Sequence, residues 1–229
     1  MDASAHWQRR HQQAAAPQVF EQLRAQIIAL TLKPGTPLSR TALQQQFKLS
    51  STPIRDALMW LQEEGLVDVF PQSGTLVSLI DVPLARQAQF LRRSIEQEAV
   101  RALAQKPDEA LLARLRAIIA EQRIHERKDD LERFNEADLA FHRALYEAAG
   151  VPDLWALVRR RSGHIDRIRR LHLPIGGKAA QIIRDHTAIV NAIAKADPEQ
   201  AARKLRDHLS RSLAFSAELR VRFPTYFKE

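Results

Sequence analysis

At 229 residues, the chain is long enough for two modest cores or one large one. It has no cysteine, which excludes disulfides, Cys-ligated zinc, iron–sulfur clusters and cysteine nucleophiles and fits a reducing cytoplasm. No apolar run approaches the roughly 20 residues that span a bilayer, and the formal charge of +8 points to an anionic partner.

Met1 to Pro17 is polar and rich in Ala and Gln, without the apolar stretch of a secretion signal, and reads as a disordered tail carrying Trp7, Arg9 and Arg10. Gln18 to Thr31 has helical apolar spacing through Val19, Leu23, Ile27 and Leu30. Lys33-Pro34-Gly35-Thr36-Pro37 breaks it. Ser39 caps a short helix reaching about Phe47, and Ser50 caps another, with Pro53 in its first turn and Gly65 past its end. Two strand-like runs, 66–70 and 75–79, flank Pro71-Gln72-Ser73-Gly74 and read as a hairpin. From Leu84 onward the pattern is helical. Helices are expected near 83–105, 108–128, 130–149, 152–172, 178–196 and 198–220, with short connections that imply an antiparallel bundle.

The expected fold is therefore mainly α. A tail (1–17) precedes a winged helix-turn-helix (18–80), and an all-helical domain follows (81–229). Leu43, Phe47, Ile54 and Leu58 form the patch over which the second and third helices cross. The first turn of the third helix is then free to enter a major groove of double-stranded DNA. Charge does not locate that surface. Residues 1–80 carry seven Lys/Arg against six Asp/Glu, and residues 81–229 carry 28 against 21. The Arg run at 159–161, 167, 169 and 170 reads as a solvated helix face.

The motifs Pro34-Gly35-Thr36-Pro37-Leu38-Ser39, Ser50 through Leu58, Leu61 through Val67 and Gly74-Thr75-Leu76-Val77 together resemble the GntR family of transcription regulators. That resemblance implies DNA contacts from Arg40, Thr41, Ser50, Ser51, Thr52, Arg55 and the wing tip at Gly74. Three departures touch operator choice and turn geometry. Ser51 stands where the family usually has a guanine-reading arginine. Arg40 and Thr41 stand where it often has Glu and Arg. Lys48 stands where glycine is common. The competing role for Arg55 is a surface pair with Asp56.

Four residues form a metal-ligand pattern. Asp138 and His142 are one helical turn apart, and His186 and His208 lie on later helices. Such a set suits Zn, Ni, Mn or Fe, but spacing alone more readily fits partly buried, hydrogen-bonded histidines. The residues around Asp138-Leu139-Ala140-Phe141-His142-Arg143-Ala144-Leu145, Asp185 through Ile193 and Ala201 through Leu209 resemble the FCD effector domain of the FadR-type branch. That resemblance implies a divalent metal at Asp138, His142, His186 and His208. It also implies a small carboxylate effector gripped by Arg92, whose alternative is an exposed i,i+4 pair with Glu96. His125, His164 and His172 read as surface or bundle histidines, and Trp60 and Trp155 as core anchors.

The function these readings imply is a cytoplasmic, homodimeric regulator, repressor or activator, that binds a palindromic operator under control of a small organic acid. The alternative is a metalloenzyme acting on carboxylates or esters. It lacks an HExxH motif and leaves the winged domain unexplained.

Overall fold

The structure is a computed structural model that describes residues 3–71 and 74–229, with side chains from residue 15 onward outside the 72–73 gap. The turn residues Gln72 and Ser73, and the side chains of Trp7, Arg9 and Arg10, lie outside the described residues. The chain divides into two compact units. One reaches to Val82 and includes Arg220–Glu229; the other is Pro83–Leu219.

The first unit opens with α1 (Ala3–Ile28), then α2 (Arg40–Phe47), α3 (Ser51–Glu63) and the strands β1 (Val67–Phe70) and β2 (Gly74–Val77). The disordered tail expected before Gln18 is corrected: helix runs from Ala3, and Ala16 is buried. Ala and Gln are good helix formers, so a stretch that lacks apolar periodicity can still extend a helix whose later turns are anchored. The anchoring face is Val19, Leu23 and Ile27, buried against Ile54, Leu58 and Leu61 of α3. Arg24 Nε lies 2.7 Å from Glu64 Oε2 and ties the two helices at their ends.

Ser39 caps α2 through its side chain, accepting from the Ala42 N–H at 3.3 Å. Lys48 ends α2 at φ +54, so the turn does need a left-handed residue, and lysine accepts that strain where glycine would not feel it. Ser50 has N-cap backbone geometry, but its hydroxyl caps nothing, contrary to the expected side-chain cap. The hairpin is antiparallel, with Val67 opposite Val77 and Phe70 opposite Gly74. The breaker after α1 is more than a connection. The Gly35 N–H donates to Val77 O at 2.8 Å and the Leu38 N–H to Thr75 O at 2.8 Å, so it lines the outer edge of β2.

The far end of the chain also belongs to this unit, not to the helical domain expected to reach residue 229. The Ile80 N–H donates to Tyr226 O (2.8 Å), the Lys228 N–H donates to Ile80 O (3.0 Å), and Phe227 is buried.

The second unit is a helical bundle: α4 (Val82–Gln105), α5 (Glu109–Arg127), α6 (Leu131–Ala148), α7 (Pro152–Arg161), α8 (Gly163–His172), α9 (Lys178–Ala194), α10 (Pro198–Ser210) and α11 (Ser216–Arg222), whose end passes into the first unit. Asp108, Asp130 and Asp197 cap α5, α6 and α10 through their side chains, at the starts the sequence marks. Phe134, Phe141 and Leu145 of α6 meet Leu112 and Leu115 of α5, Ile189 and Ile193 of α9 and Leu205 of α10 in one apolar core.

Two expected helices are split. The one at 152–172 breaks at Ser162, whose hydroxyl donates to Val158 O at 2.7 Å and competes with the helical ladder. The one at 198–220 ends at Ser210 and resumes as α11. The solvated arginine face is also corrected. Arg160 and Arg161 are exposed, but Arg167 is fully buried, its Nε donating to Gly163 O (3.2 Å) and its Nη2 lying 3.0 Å from His164 Nδ1. Arg159 turns in to Asp166 at 2.8 Å.

Candidate metal centre and nucleic-acid interface

Asp138 and His142 project from one face of α6, His186 from α9 and His208 from α10, and all four are buried. One ligand atom from each lies within 4.8 Å of the other three. His208 Nε2 is 3.3 Å from both His142 Nε2 and His186 Nε2, and His186 Nε2 is 3.7 Å from Asp138 Oδ1. The opposite nitrogen of each ring is held from behind. His142 Nδ1 meets Glu96 Oε2 at 2.8 Å, His186 Nδ1 meets Gln122 Oε1 at 2.9 Å, and His208 Nδ1 meets Asp185 Oδ2 at 3.4 Å.

Those three oxygens can only accept, so the proton of each neutral imidazole sits on Nδ1 and Nε2 carries a bare lone pair. Three lone pairs then converge with no proton to share, beside Asp138 Oδ1, a buried oxygen with no hydrogen-bond donor. A divalent cation fits this donor set of three imidazoles and one carboxylate. The outer acceptors fix tautomer and ring orientation, as they do around metal-bound histidines generally. Phe141 stacks on His186 at 3.9 Å and holds that ring flat.

The electrostatics keep Asp138 and Glu96 charged and His142 and His186 neutral. Burial opposes the Asp138 charge, but Arg169 and then the histidines hold its carboxyl well below the usual range. Burial would raise the Glu96 carboxyl; Arg92 and then His142 outweigh it and bring it from 4.5 to about 2. Burial, then the Arg92 charge, lowers His142 from 6.5 to about 4, and burial with His208 lowers His186 well below its ordinary value.

A pH dependence follows. In the unfolded chain His142 takes up its proton near 6.5, whereas in the metal-free folded chain it does so only near 4. Between those values the unfolded state binds more protons, so stability falls as pH falls. Glu96 extends the loss: its contribution is complete above 4.5 and disappears toward about 2. Each proton costs about 1.4 kcal/mol per pH unit inside its window. Denaturant unfolding with chelator present should show a lower midpoint at pH 5 than at pH 7, and equal midpoints would contradict a buried neutral His142.

Arg92 is buried, not exposed as its pairing alternative assumes. Its Nε donates to Glu96 Oε1 at 2.6 Å, while Nη2 has no partner. Sequence reasoning named Glu96 only as a partner of Arg92 and missed its place, and those of Gln122 and Asp185, behind the histidines. Asp185 adjoins His186 and Glu96 sits one turn from Arg92, but Gln122 carries no sequence signal. It also missed Arg169, which pairs with Asp138 Oδ2. His164 and His172 are buried; His172 packs on Phe215 at 4.1 Å. Trp155 meets Tyr146 edge-on at 5.5 Å, and Trp60 meets Phe20 likewise at 5.9 Å, both as partial core anchors.

In the first unit, Arg40, Thr41, Ser50, Ser51, Thr52, Arg55 and Gly74 are all exposed. Pro53, Ile54, Ala57, Leu58 and Leu61 bury the opposite face of α3. Arg55 Nη2 lies 3.4 Å from Asp56 Oδ1, but the Arg55 side chain remains 66% exposed, so that pair is a weak surface contact.

Residues 15–77 match the family "Bacterial regulatory proteins, gntR family", and residues 88–211 match the FCD domain. The chain belongs to the gntR family of bacterial regulators. It is 35% identical to an HTH-type transcriptional regulator in an unstable DNA locus of Streptomyces ambofaciens, over 91% of this chain and 88% of that protein. It is 28% identical to the transcriptional repressor RspR of Escherichia coli, over 93% of each. The solved structure of E. coli McbR/YncC shares the fold at TM-score 0.74 and 21% identity, covering 89% of this chain and 97% of that one. This gntR-family chain is thus a DNA-binding transcription regulator with an FCD domain, and its relatives are regulators, not enzymes. Among the described residues no helix is long and apolar enough to cross a membrane.

Proposed function

We propose that this regulator binds its operator under the control of a small organic acid held at a divalent metal in the helical unit. The observation that carries the reading is the convergence of three bare imidazole nitrogens and the Asp138 carboxylate, each ring oriented from behind by an acceptor. The metal, one of Zn, Ni, Mn or Fe, supplies Lewis-acid binding of an effector carboxylate. Arg92, buried with a free Nη2, is the guanidinium for that carboxylate, and Glu96 keeps it in place from the other side.

On DNA, the exposed first turn of α3 meets the major groove and Gly74 brings the wing to the backbone. Ser50, Ser51, Thr52 and Arg55 lie at base edges and phosphates, with Arg40 and Thr41 nearby. A homodimer on a palindromic operator, in the cytoplasm, completes the reading, since two-fold proteins match two-fold sites. The kinship with the repressor RspR supports repression as the sign.

The test is elemental analysis of untagged protein, followed by thermal-shift screening of small carboxylic acids with and without chelator. One divalent metal per chain, acid-dependent stabilisation that chelator abolishes, and an Arg92→Ala chain that keeps the metal but loses the acid are expected. A folded, metal-free chain that still responds to an acid would refute the metal site.

A further inference from the structure

Two of the four ligand residues, Asp138 and His208, also line a pocket, and its other walls include Arg169, Lys178, Asn135 and Ser212. Two cationic side chains therefore face the same space as the ligand cluster. Arg169 is matched in part: it pairs with Asp138, and its Nη1 lies 3.7 Å from Asp166 Oδ1. Lys178 is half-buried; its backbone N–H donates to Ile175 O at 3.2 Å, but its side-chain ammonium makes no hydrogen bond or ion pair among the described residues. Burial, and then the Arg169 charge, lowers its amine below the ordinary range. The nearby Arg211 does not share this condition, because Asp185 Oδ2 sits 2.6 Å from its Nη1.

A cation entering the ligand cluster would share Asp138 with Arg169, taking Oδ1 while Oδ2 stays with the guanidinium. Loading the site would leave Arg169 with less negative charge beside it while Lys178 still has none paired to it. An effector with one carboxylate, spent on the metal and Arg92, would leave Lys178 without a paired anion and Arg169 matched only by Asp138 and Asp166. Arg92 does not line this pocket, so Arg169 and Lys178 stand apart from the guanidinium assigned to the first acid group.

We propose that the effector is a doubly acidic small molecule of the dicarboxylate class, with its second acid group held by Arg169 and Lys178. This rests on the metal-and-acid reading above. A guanidinium and an ammonium offer charge-assisted hydrogen bonds to both oxygens of that group, and an unpaired, half-buried ammonium gains most from such a partner.

The experiment is titration calorimetry of the full-length, zinc-loaded chain with straight-chain acids of three to six carbons, each tried as monocarboxylate and dicarboxylate. At one chain length or more the dicarboxylate should bind about tenfold or more tighter than its monocarboxylate, as expected for added hydrogen bonds between charged groups. Lys178→Gln should erase most of that ratio, leave the monocarboxylate and the zinc content unchanged, and be rescued by Lys178→Arg. Equal affinities within every pair, no binding of any acid, or a Lys178→Gln chain that weakens both members alike would overturn the proposal. If zinc is retained and Arg92→Ala still weakens the monocarboxylate, only the second anion position falls. If zinc does not bind, the metal reading falls with it.

Discussion

A His186→Ala chain should retain almost no metal and lose its response to acids, while still binding DNA. His186 supplies one of the converging nitrogens and is fully buried, stacked on Phe141 and held by Gln122. Loss of an outer-shell partner alone costs roughly 10–100-fold in metal affinity, so loss of a ligand should exceed about a hundredfold. The deletion also leaves a cavity in the core, and instability could mimic metal loss. Glu96→Gln separates the two effects. It removes the charge behind His142 without removing a ligand, and should weaken metal binding roughly 10–100-fold in a folded chain. Competition with a metal indicator measures both variants. Operator binding should survive because Val19, Leu23, Ile27, Ile54 and Leu61 give the DNA-reading unit a core of its own. A His186→Ala chain with parental metal affinity would remove this residue from the site.

Arg55→Ala should weaken operator binding by about 1–3 kcal/mol, or roughly 10–150-fold, if the side chain reads a base edge. If it contacts only phosphate, the loss should be uniform across sequences and the salt slope should fall by about 1. Arg55 is free to do either, since its contact with Asp56 is exposed and long. Ser51→Arg should alter the selected consensus, because Ser51 lies in the same exposed turn. Binding measured at several salt concentrations distinguishes these outcomes. Parental affinity for Arg55→Ala at every salt concentration would remove α3 from the groove.

The features legible in the sequence are those with local rules. Aspartates at 108, 130 and 197 cap the helices they precede, whereas the left-handed turn at Lys48 is legible only through the glycine common at that position in the family. Asp138 and His142 share a face because four residues make about one turn. What stayed hidden depends on distance along the chain. Glu96 is 46 residues from His142 and Gln122 is 64 from His186, and no local pattern joins such pairs. The inward turn of Arg167 is hidden for the same reason. A basic run on a helix reads as a wet face until the helix is seen to be buried nearly all round. Pairing of residues 226–228 with Ile80 has no signature either, because a single backbone bridge asks little of its side chains.

That last pairing bears on how the chain is made. Ile80 finds its partner only after some 140 further residues have been added, enough to spell out the whole helical unit. At ribosomal speeds of about 5–20 residues per second, the DNA-reading unit waits roughly 7–30 s for its closing bridge. The helical unit is thus an insertion within the DNA-binding unit, and a nascent chain can hold a folded helical unit before its DNA-binding half is whole.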